Sequence, residues 1–441
     1  MSRRRKKLPV DPVAVQIESF SHEGRGIARI EGKTTFIDGA LSGEEVLFRY
    51  QRRRARYDEG YVLEVTSPSP ERVEPHCEYF AVCGGCSLQH LEPAVQIQHK
   101  QSVLLEQLQH IGGVTPQEIL PALTGPVWGY RRKARLGVKY VEKKGKVLVG
   151  FREKYSPFIA DIKCCEVLHP SIGLKLDVLQ ELVGKLSLFR QIPQIEVAVA
   201  DKATALVFRH LAPFTAEDQS VLKQFEKDHV VDIYLQSAGL DSVVPLSPEN
   251  TTPLSYSLPG HNVEIIFWPT DFIQVNYEIN IAMVNNALEL LEAGEQDQVL
   301  DLFCGLGNFS LPLARKTARV VGVEGDAVLI ERAKFNALHN NINNAEFHVV
   351  DLAAEDLQAS FLQYEFNKIL FDPPRSGALD IIHNVDFEPV ERIVYVSCNP
   401  ATLARDAGVL VKEKRFQLQK TGVMDMFPHT SHVESIALFV R

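Results

Sequence analysis

The sequence predicts a multidomain protein: an N-terminal all-β Greek-key barrel, an α+β central domain and a C-terminal, doubly wound α/β domain. Three observations carry this. Residues 12–68 hold five short alternating runs (VAVQIESF, GIARI, TTFIDG, EEVLFRYQ and EGYVLEVTSP) parted by Gly, Asp and Ser turn signals. Residues 125–268 mix strand-like and helix-like segments without a repeat. From residue 270 onward, QVLDLF, ARVVGVEG, AEFHVVDL, NKILFDPP, RIVYVSCNP and ESIALFV alternate with helix-like stretches, which is the pattern of a mainly parallel sheet.

Bulk properties agree with that division. The chain has 441 residues, enough for two or three domains, and 45% of them are hydrophobic. No apolar run approaches a membrane span. The start, MSRRRKKLPVDP, lacks the apolar stretch of a secretory signal, so a cytoplasmic protein is expected. In that compartment the seven cysteines read as ligands or catalysts rather than disulfides. The net charge of −9 is uneven. Residues 1–60 carry 13 Lys/Arg against 9 Asp/Glu, and residues 130–155 carry 10 against 2. Local positive surface governs phosphate contact whatever the total charge, and both runs are interleaved with side chains able to stack on bases.

Taken in order, the five N-terminal strands suggest a small barrel of the OB type, a fold that commonly binds oligonucleotides. The three prolines from Pro68 to Pro75 read as a linker. HCEYFAVCGGCSLQH then places Cys77, Cys83 and Cys86 at C-x5-C-x2-C spacing. Two thiols three residues apart can grip one metal centre, and Gly84-Gly85 lets the backbone turn between them. DIKCCEVLHP offers a fourth thiol, Cys164 or Cys165. All-thiolate ligation suits zinc or an iron–sulfur cluster, and the spacing alone does not separate the two. Between these segments, Val95, Ile97, Val103, Leu104, Leu108 and Ile111 recur at helical spacing before a Gly-Gly stop.

In VLDLFCGLGNFS a buried strand, ending at Phe303, runs into Gly305-Leu306-Gly307 and a helix. Such glycines let backbone approach a ligand at a helix N-terminus. Glu324 closes the next strand, 19 residues after Gly305, where a carboxylate can accept from both ribose hydroxyls of a nucleoside. A dinucleotide site favours a third glycine, and Ser310 stands there instead. S-adenosylmethionine, with no pyrophosphate to cradle, fits better. Asp351 ends the third strand of this domain, positioned to meet an adenine amine. Asp372 ends the fourth, in a loop stiffened by two prolines.

Cys398 ends the strand Ile393-Val394-Tyr395-Val396, where open α/β sheets place their chemistry. One reading is a buried structural thiol; the other is a nucleophile. Uracil C5 reacts poorly with a methyl sulfonium, but a thiolate added at C6 makes C5 enolate-like. A base must then remove the C5 proton before the thiolate is expelled. HTSHVESIALF offers Glu434 for that role.

DLFCGLGNFS, FDPPRSG, VSCNPATLARD and DMFPHTSHVES together resemble the RNA uracil-C5 methyltransferases, and the likeness spans the chain. The N-terminal segment resembles a TRAM domain, and the cysteine cluster resembles the iron–sulfur centre of the ribosomal-RNA branch of that family. The resemblance implies Cys398 as nucleophile and Glu434 as base. Gln274, Phe303, Gly305, Asn308, Glu324, Asp351 and Asp372 would hold cofactor or substrate. Cys77, Cys83, Cys86 and Cys165 would ligate a [4Fe-4S] cluster, Cys165 being preferred over Cys164 for the EVL that follows it. The implied partner is a uridine flipped out of folded 23S ribosomal RNA and methylated by a monomer, with transfer RNA as the alternative substrate. A non-catalytic RNA-binding or redox protein is the other alternative. The implied domains are a TRAM barrel at 1–70, an iron–sulfur domain at 71–90 and 125–268, and a Rossmann-like methyltransferase domain at 91–124 and 269–441.

Overall fold

The computed structural model describes residues 8–9, 11–352, 354 and 365–441. The basic start, residues 1–7, lies outside them. The chain forms two compact units, Met1–Val103 with Phe427–His432, and Leu104–Met426 with Val433–Arg441.

In the first unit, β1 (Val13–Gln16), β2 (Ser19–Phe20), β3 (Gly26–Ile30), β4 (Lys33–Asp38), β5 (Glu45–Arg53) and β6 (Tyr57–Ser67) form one sheet in the order β1-β5-β6-β4-β3-β2. The run VAVQIESF, expected as one strand, is two. Its first half pairs with β5 and its second half with β3, at opposite ends of that order. One short segment therefore joins both edges, and the sheet closes on itself. Closure removes the exposed edges that an open sheet would present. Ile17, at the break, is buried with Ala28, Ile37, Val46 and Phe48 as the barrel core. The expected linker is anchored. Arg72 forks onto the buried carboxylate of Glu44, Nε to Oε1 at 2.5 Å and Nη2 to Oε2 at 2.7 Å. Burial would raise the Glu44 pKa, but Arg72 and the N–H groups of Leu41 and Ser69 hold it below its ordinary value. Helix α1 (Pro93–Gln107) follows.

Within the second unit, a single π turn, Leu108–Gly112, continues the helix. Its wider winding breaks the 3.6-residue register, and Ile111, expected on the apolar face, is 52% exposed. A Cβ on Gly112 would stand 2.4 Å from the Ala404 carbonyl oxygen, so only glycine allows that approach. After β7 (Glu118–Ile119), six strands form a central sheet. They are β8 (Lys133–Val141), β9 (Lys146–Gly150), β10 (Gln194–Val199), β11 (Thr204–Arg209), β12 (Asp232–Gln236) and β13 (Val243–Pro245), in the order β13-β12-β11-β10-β8-β9. Helices α2 (Pro170–Gly173), α3 (Leu176–Lys185) and α4 (Ala216–His229) lie among these strands in the chain. A hairpin of β14 (Ser255–Leu258) and β15 (Val263–Ile266) leads to the last sheet.

That sheet alternates as the sequence predicts. In chain order it runs α5 (Tyr277–Leu291), β16 (Gln298–Leu302), α6 (Ser310–Ala314), β17 (Arg319–Glu324), α7 (Ala327–His339), β18 (Ala345–Val349), β19 (Lys368–Phe371), α8 (Leu379–Asn384), β20 (Arg392–Ser397) and α9 (Pro400–Lys412). It ends with β21 (Gln417–Met424) and β22 (Glu434–Val440). The spatial order is β18-β17-β16-β19-β20-β22-β21-β7. The strands from β16 to β20 pair in parallel, and β22 runs antiparallel between β20 and β21. β21 has no counterpart among the expected runs. Its sequence, QLQKTGVM, is too polar at its start to stand out. Among the described residues, no helix is long and apolar enough to cross a membrane.

Candidate active site

From β16 the chain moves outward through β17 to β18, then returns to lay β19 on the other flank of β16. Strand order therefore reverses between β16 and β19, the place where open α/β sheets open a ligand crevice at their C-terminal ends. The expected cofactor residues flank that switch point. Phe303 and Gly305 follow β16, Glu324 closes β17, Asp351 lies just beyond β18, and Asp372 follows β19. Asp372 donates its N–H to the Leu302 carbonyl at 3.2 Å, so the two strand ends leave the sheet together.

The loop after β16 is bent in an unusual way. Phe303 has φ 66°, an uncommon conformation for an aromatic residue that recurs at functional sites. Gly305 has φ 52°, and a Cβ there would find nothing within 4 Å, so open space lies over the loop. Glu324 draws the loop together. Its Oε2 accepts from Gly305 N–H at 3.3 Å, while Oε1 accepts from Gly325 N–H at 2.7 Å. Asn308 is bound within the protein. Its amide exchanges hydrogen bonds with Asn280 at 2.9 and 3.0 Å and accepts from the Tyr256 hydroxyl at 2.9 Å. Those bonds lock the start of α6 to α5 and to the hairpin. Gln274 is half-buried and Asp351 exposed.

Two acids near the switch point have carboxyls pushed well above the usual carboxylate range. Burial pushes Asp372 up to about 7, with the Glu324 charge adding to it. Burial likewise pushes Asp301, on β16, up to about 7, against a hydrogen bond from the Ser310 hydroxyl. The other oxygen of Asp301 finds no hydrogen-bond partner among the described residues. Sequence reasoning passed over Asp301, although an acid inside the apolar run VLDL is the signal that could have found it.

On the far side of the crevice, β20 and β22 carry the nucleophile and base candidates. Their register pairs Ser397 with Ser435. The ladder ends there, with Cys398 following the last residue of β20 and Glu434 opening β22, close enough for the Glu434 charge to act on the thiol. Burial first, then the Glu434 and Asp372 carboxylates, push the Cys398 thiol up to about 11, while Arg375 opposes them. Three strand ends thus converge on one sulfur. Glu434 is buried, and Cys398 is half-buried.

The turn after Cys398 is fixed by local chemistry. Asn399 caps α9, accepting from Ala401 N–H at 3.1 Å, and Pro400 occupies the first helical position. Its amide also donates to the Arg375 carbonyl at 2.9 Å, tying this turn to the loop after Asp372. Asp406, fully buried, accepts from Ala378 N–H and from the Tyr395 hydroxyl, each at 2.7 Å, and holds that loop from below.

The cysteines of the proposed cluster divide between the units. Cys77, Cys83 and Cys86 belong to the first, and Cys164 and Cys165 to the second. Cys83 Sγ accepts from Gly85 N–H at 3.4 Å, and the Cys164 thiol donates to the Glu166 carboxylate at 4.0 Å. Among the described residues, no group of three or more His, Cys, Asp or Glu forms an assembled metal-holding set.

The fold and its crevice define an α/β methyltransferase joined to a small RNA-binding-type barrel. Residues 249–441 match the family model described as tRNA (Uracil-5-)-methyltransferase, and residues 7–48 match the TRAM domain. The chain is 56% identical over 438 residues to the 23S rRNA (uracil(1939)-C(5))-methyltransferase RlmD of Nitrosococcus oceani, covering 99% of this chain and 98% of that one. It is 52% identical to the RlmD of Methylococcus capsulatus, covering 99% of each. The chain belongs to the RNA uracil-C5 methyltransferase family, in its RlmD branch. Among solved structures, the tRNA (uracil-54, C5)-methyltransferase of Pyrococcus abyssi, in complex with S-adenosyl-L-homocysteine, shares the fold. The TM-score is 0.74 at 24% identity, over 97% of this chain and 99% of that one.

Proposed function

We propose that this enzyme transfers the methyl group of S-adenosylmethionine to C5 of a uridine in 23S ribosomal RNA, with Cys398 as nucleophile and Glu434 as base. The observation that supports the proposal is the pairing of β20 with β22 up to Ser397 and Ser435, next to which lie the Cys398 thiol and the buried Glu434 carboxylate. Cys398 gives up its proton to solvent, the thiolate Sγ bonds to uracil C6, and the C5–C6 π electrons shift so that C5 becomes the nucleophile. S-adenosylmethionine supplies the electrophilic methyl group. Glu434 then takes the C5 proton, the C5–C6 double bond reforms, and the thiolate leaves. Glu324 suits the ribose hydroxyls of the cosubstrate, with Phe303, Gly305 and Asp351 around it. Gln274 and Asp372 face the uracil. Asn308, steadied by Asn280 and Tyr256, completes the cosubstrate side of the site. The target base must be extruded from folded RNA, and its unstacking is offset by contacts in the pocket. The barrel holds the RNA, and the protein acts as a monomer in the cytoplasm.

We further propose that Cys77, Cys83, Cys86 and Cys165 ligate a [4Fe-4S] cluster. Three thiols within one irregular segment form a suitable donor set, and the Gly85 N–H aimed at Cys83 Sγ favours a thiolate there. Cys165 is the better fourth ligand, since the Cys164 thiol is turned to the Glu166 carboxylate.

The test is methyl transfer from labelled S-adenosylmethionine to 23S ribosomal RNA and, separately, to transfer RNA. Label recovered as 5-methyluridine from ribosomal RNA is the expected result. Label in transfer RNA alone would overturn the substrate, and label in neither would overturn the function. Gly305→Ala provides a second check. The left-handed backbone costs the alanine variant about 1 kcal/mol of stability, whereas the methyl group enters the space over the loop. Affinity for S-adenosylhomocysteine, read by calorimetry, should fall at least about tenfold while the unfolding midpoint moves by only a few degrees.

A further inference from the structure

Away from the crevice, the second unit has a depression of about 1000 Å³ along the β8–β9 hairpin. Its floor is built around Gly137 and Gly150, which face one another across the ladder. A Cβ on Gly137 would stand 2.4 Å from Ile159 Cδ1, so the glycine lets Ile159 pack down onto the strand as part of the apolar lining. Around the floor stand Arg135, Lys139, Lys143, Lys144 and Arg152, with Glu153 the one acid in the lining. Arg135 and Lys139 share a face of β8, four residues and so roughly 14 Å apart.

Several cations of this stretch are neutralised. Arg135 pairs with Glu196, while Lys144 and Lys146 both pair with Asp161. Lys139, Lys143 and Arg152 make no ion pair among the described residues, and all three are exposed. Beside them the loop after β9 holds Phe158 69% exposed and Tyr155 48% exposed. A solvated charged face explains unpaired lysines on a convex surface. It does not explain a hollow with apolar walls, three uncompensated cations and an aromatic ring left in water at its rim. Charge and ring together fit a strand of nucleic acid whose bases are free to stack, because base–aromatic stacking needs unpaired bases and the backbone needs cations.

We propose that this groove binds a single-stranded segment of the RNA substrate at a distance from the target uridine, with its phosphates on Lys139, Lys143 and Arg152 and a base on Phe158. The proposal rests on the RNA-methyltransferase reading and names a second contact that the reading does not require. In this role the groove raises affinity without touching the chemistry. Its loss weakens KM and leaves kcat alone.

The test uses the full chain and three variants, K139A/K143A/R152A, F158A and, as a charge control elsewhere, K223A/K227A on the exposed face of α4. The probes are a labelled 20-nucleotide oligouridine and an RNA duplex of equal length. The triple variant should lose oligouridine affinity, and its slope of log K against log salt should fall by about 2, since each single-strand phosphate contact contributes about 0.7. F158A should weaken oligouridine binding about fivefold or more without changing that slope. Photo-cross-linking of a 5-iodouridine oligomer should map to Phe158 or Tyr155. On a ribosomal RNA fragment, the triple variant should raise KM with kcat unchanged. Unchanged oligouridine binding, an equal loss with the control variant, or an equal loss on duplex would overturn the proposal. If the wild-type protein made no 5-methyluridine, the function would fail while the oligouridine measurements still decided the groove.

Discussion

Cys398→Ala is expected to abolish methyl transfer, lowering kcat by about 10⁴-fold or more, with the fold intact. The side chain is half-buried beyond the end of β20, and its removal leaves the Asn399 cap and the β20–β22 ladder in place. Wild-type protein should form a denaturation-resistant complex with RNA carrying 5-fluorouridine at the target, because fluorine cannot leave as a proton does. The alanine variant should form none, and sustained turnover in it would eliminate covalent catalysis. The wild-type thiol also predicts a pH profile. Burial and two carboxylates hold it at about 11, so only a small fraction is thiolate near neutrality. kcat/KM should therefore climb by about tenfold per pH unit from 7 to 9. A flat profile would mean that the sulfur's proton passes directly to a neighbouring carboxylate, for which Asp372 at about 7 is the suited acceptor.

Glu434→Gln should stop the reaction at a later point. The amide keeps the shape of the buried side chain but cannot take the C5 proton. Methylation of C5 still proceeds, and the methylated RNA stays bonded to Cys398. Steady-state turnover should fall about 10³- to 10⁴-fold, while protein-bound label rises toward one methyl group per enzyme. Gel analysis after incubation with labelled S-adenosylmethionine and RNA separates this from a folding defect, which would give neither product nor adduct. A variant that releases free 5-methyluridine at the wild-type rate would assign the base to another group.

Much of this site is legible in the sequence because each piece sits on a strand end. A β-branched run that closes on Cys398, Asp372 or Glu324 marks both a buried strand and the group it delivers. The barrel is equally plain from its alternation, although its closure is not. That Val13–Gln16 and Ser19–Phe20 join opposite edges depends on pairing partners far along the chain. The pairing that brings Cys398 near Glu434 is hidden for the same reason, since β22 is the third strand-forming segment in that region and nothing local says it inserts beside β20. Asn308 reads as a ligand contact because its position suits one. Only the fold reveals Asn280 and Tyr256 already holding it. Ile111 fits a helical stripe until a π turn rotates it outward.

The placement of β22 has a consequence for how the enzyme assembles. It follows β21 in the chain yet lies between β21 and β20, so β21 has no long partner until a later segment threads into the gap. The β20–β22 pairing encloses α9 and β21, so it forms only after a larger loop-closure entropy has been overcome than the neighbouring β21–β22 hairpin requires. The proposed acceptor of the C5 proton, Glu434, is the first residue of that late strand. A partly folded chain can thus present its cofactor loop, and even its thiol, without a base to complete the cycle. Such an intermediate would be open to capture by RNA as a dead-end adduct, so prompt closure of this edge protects the protein as well as finishing it.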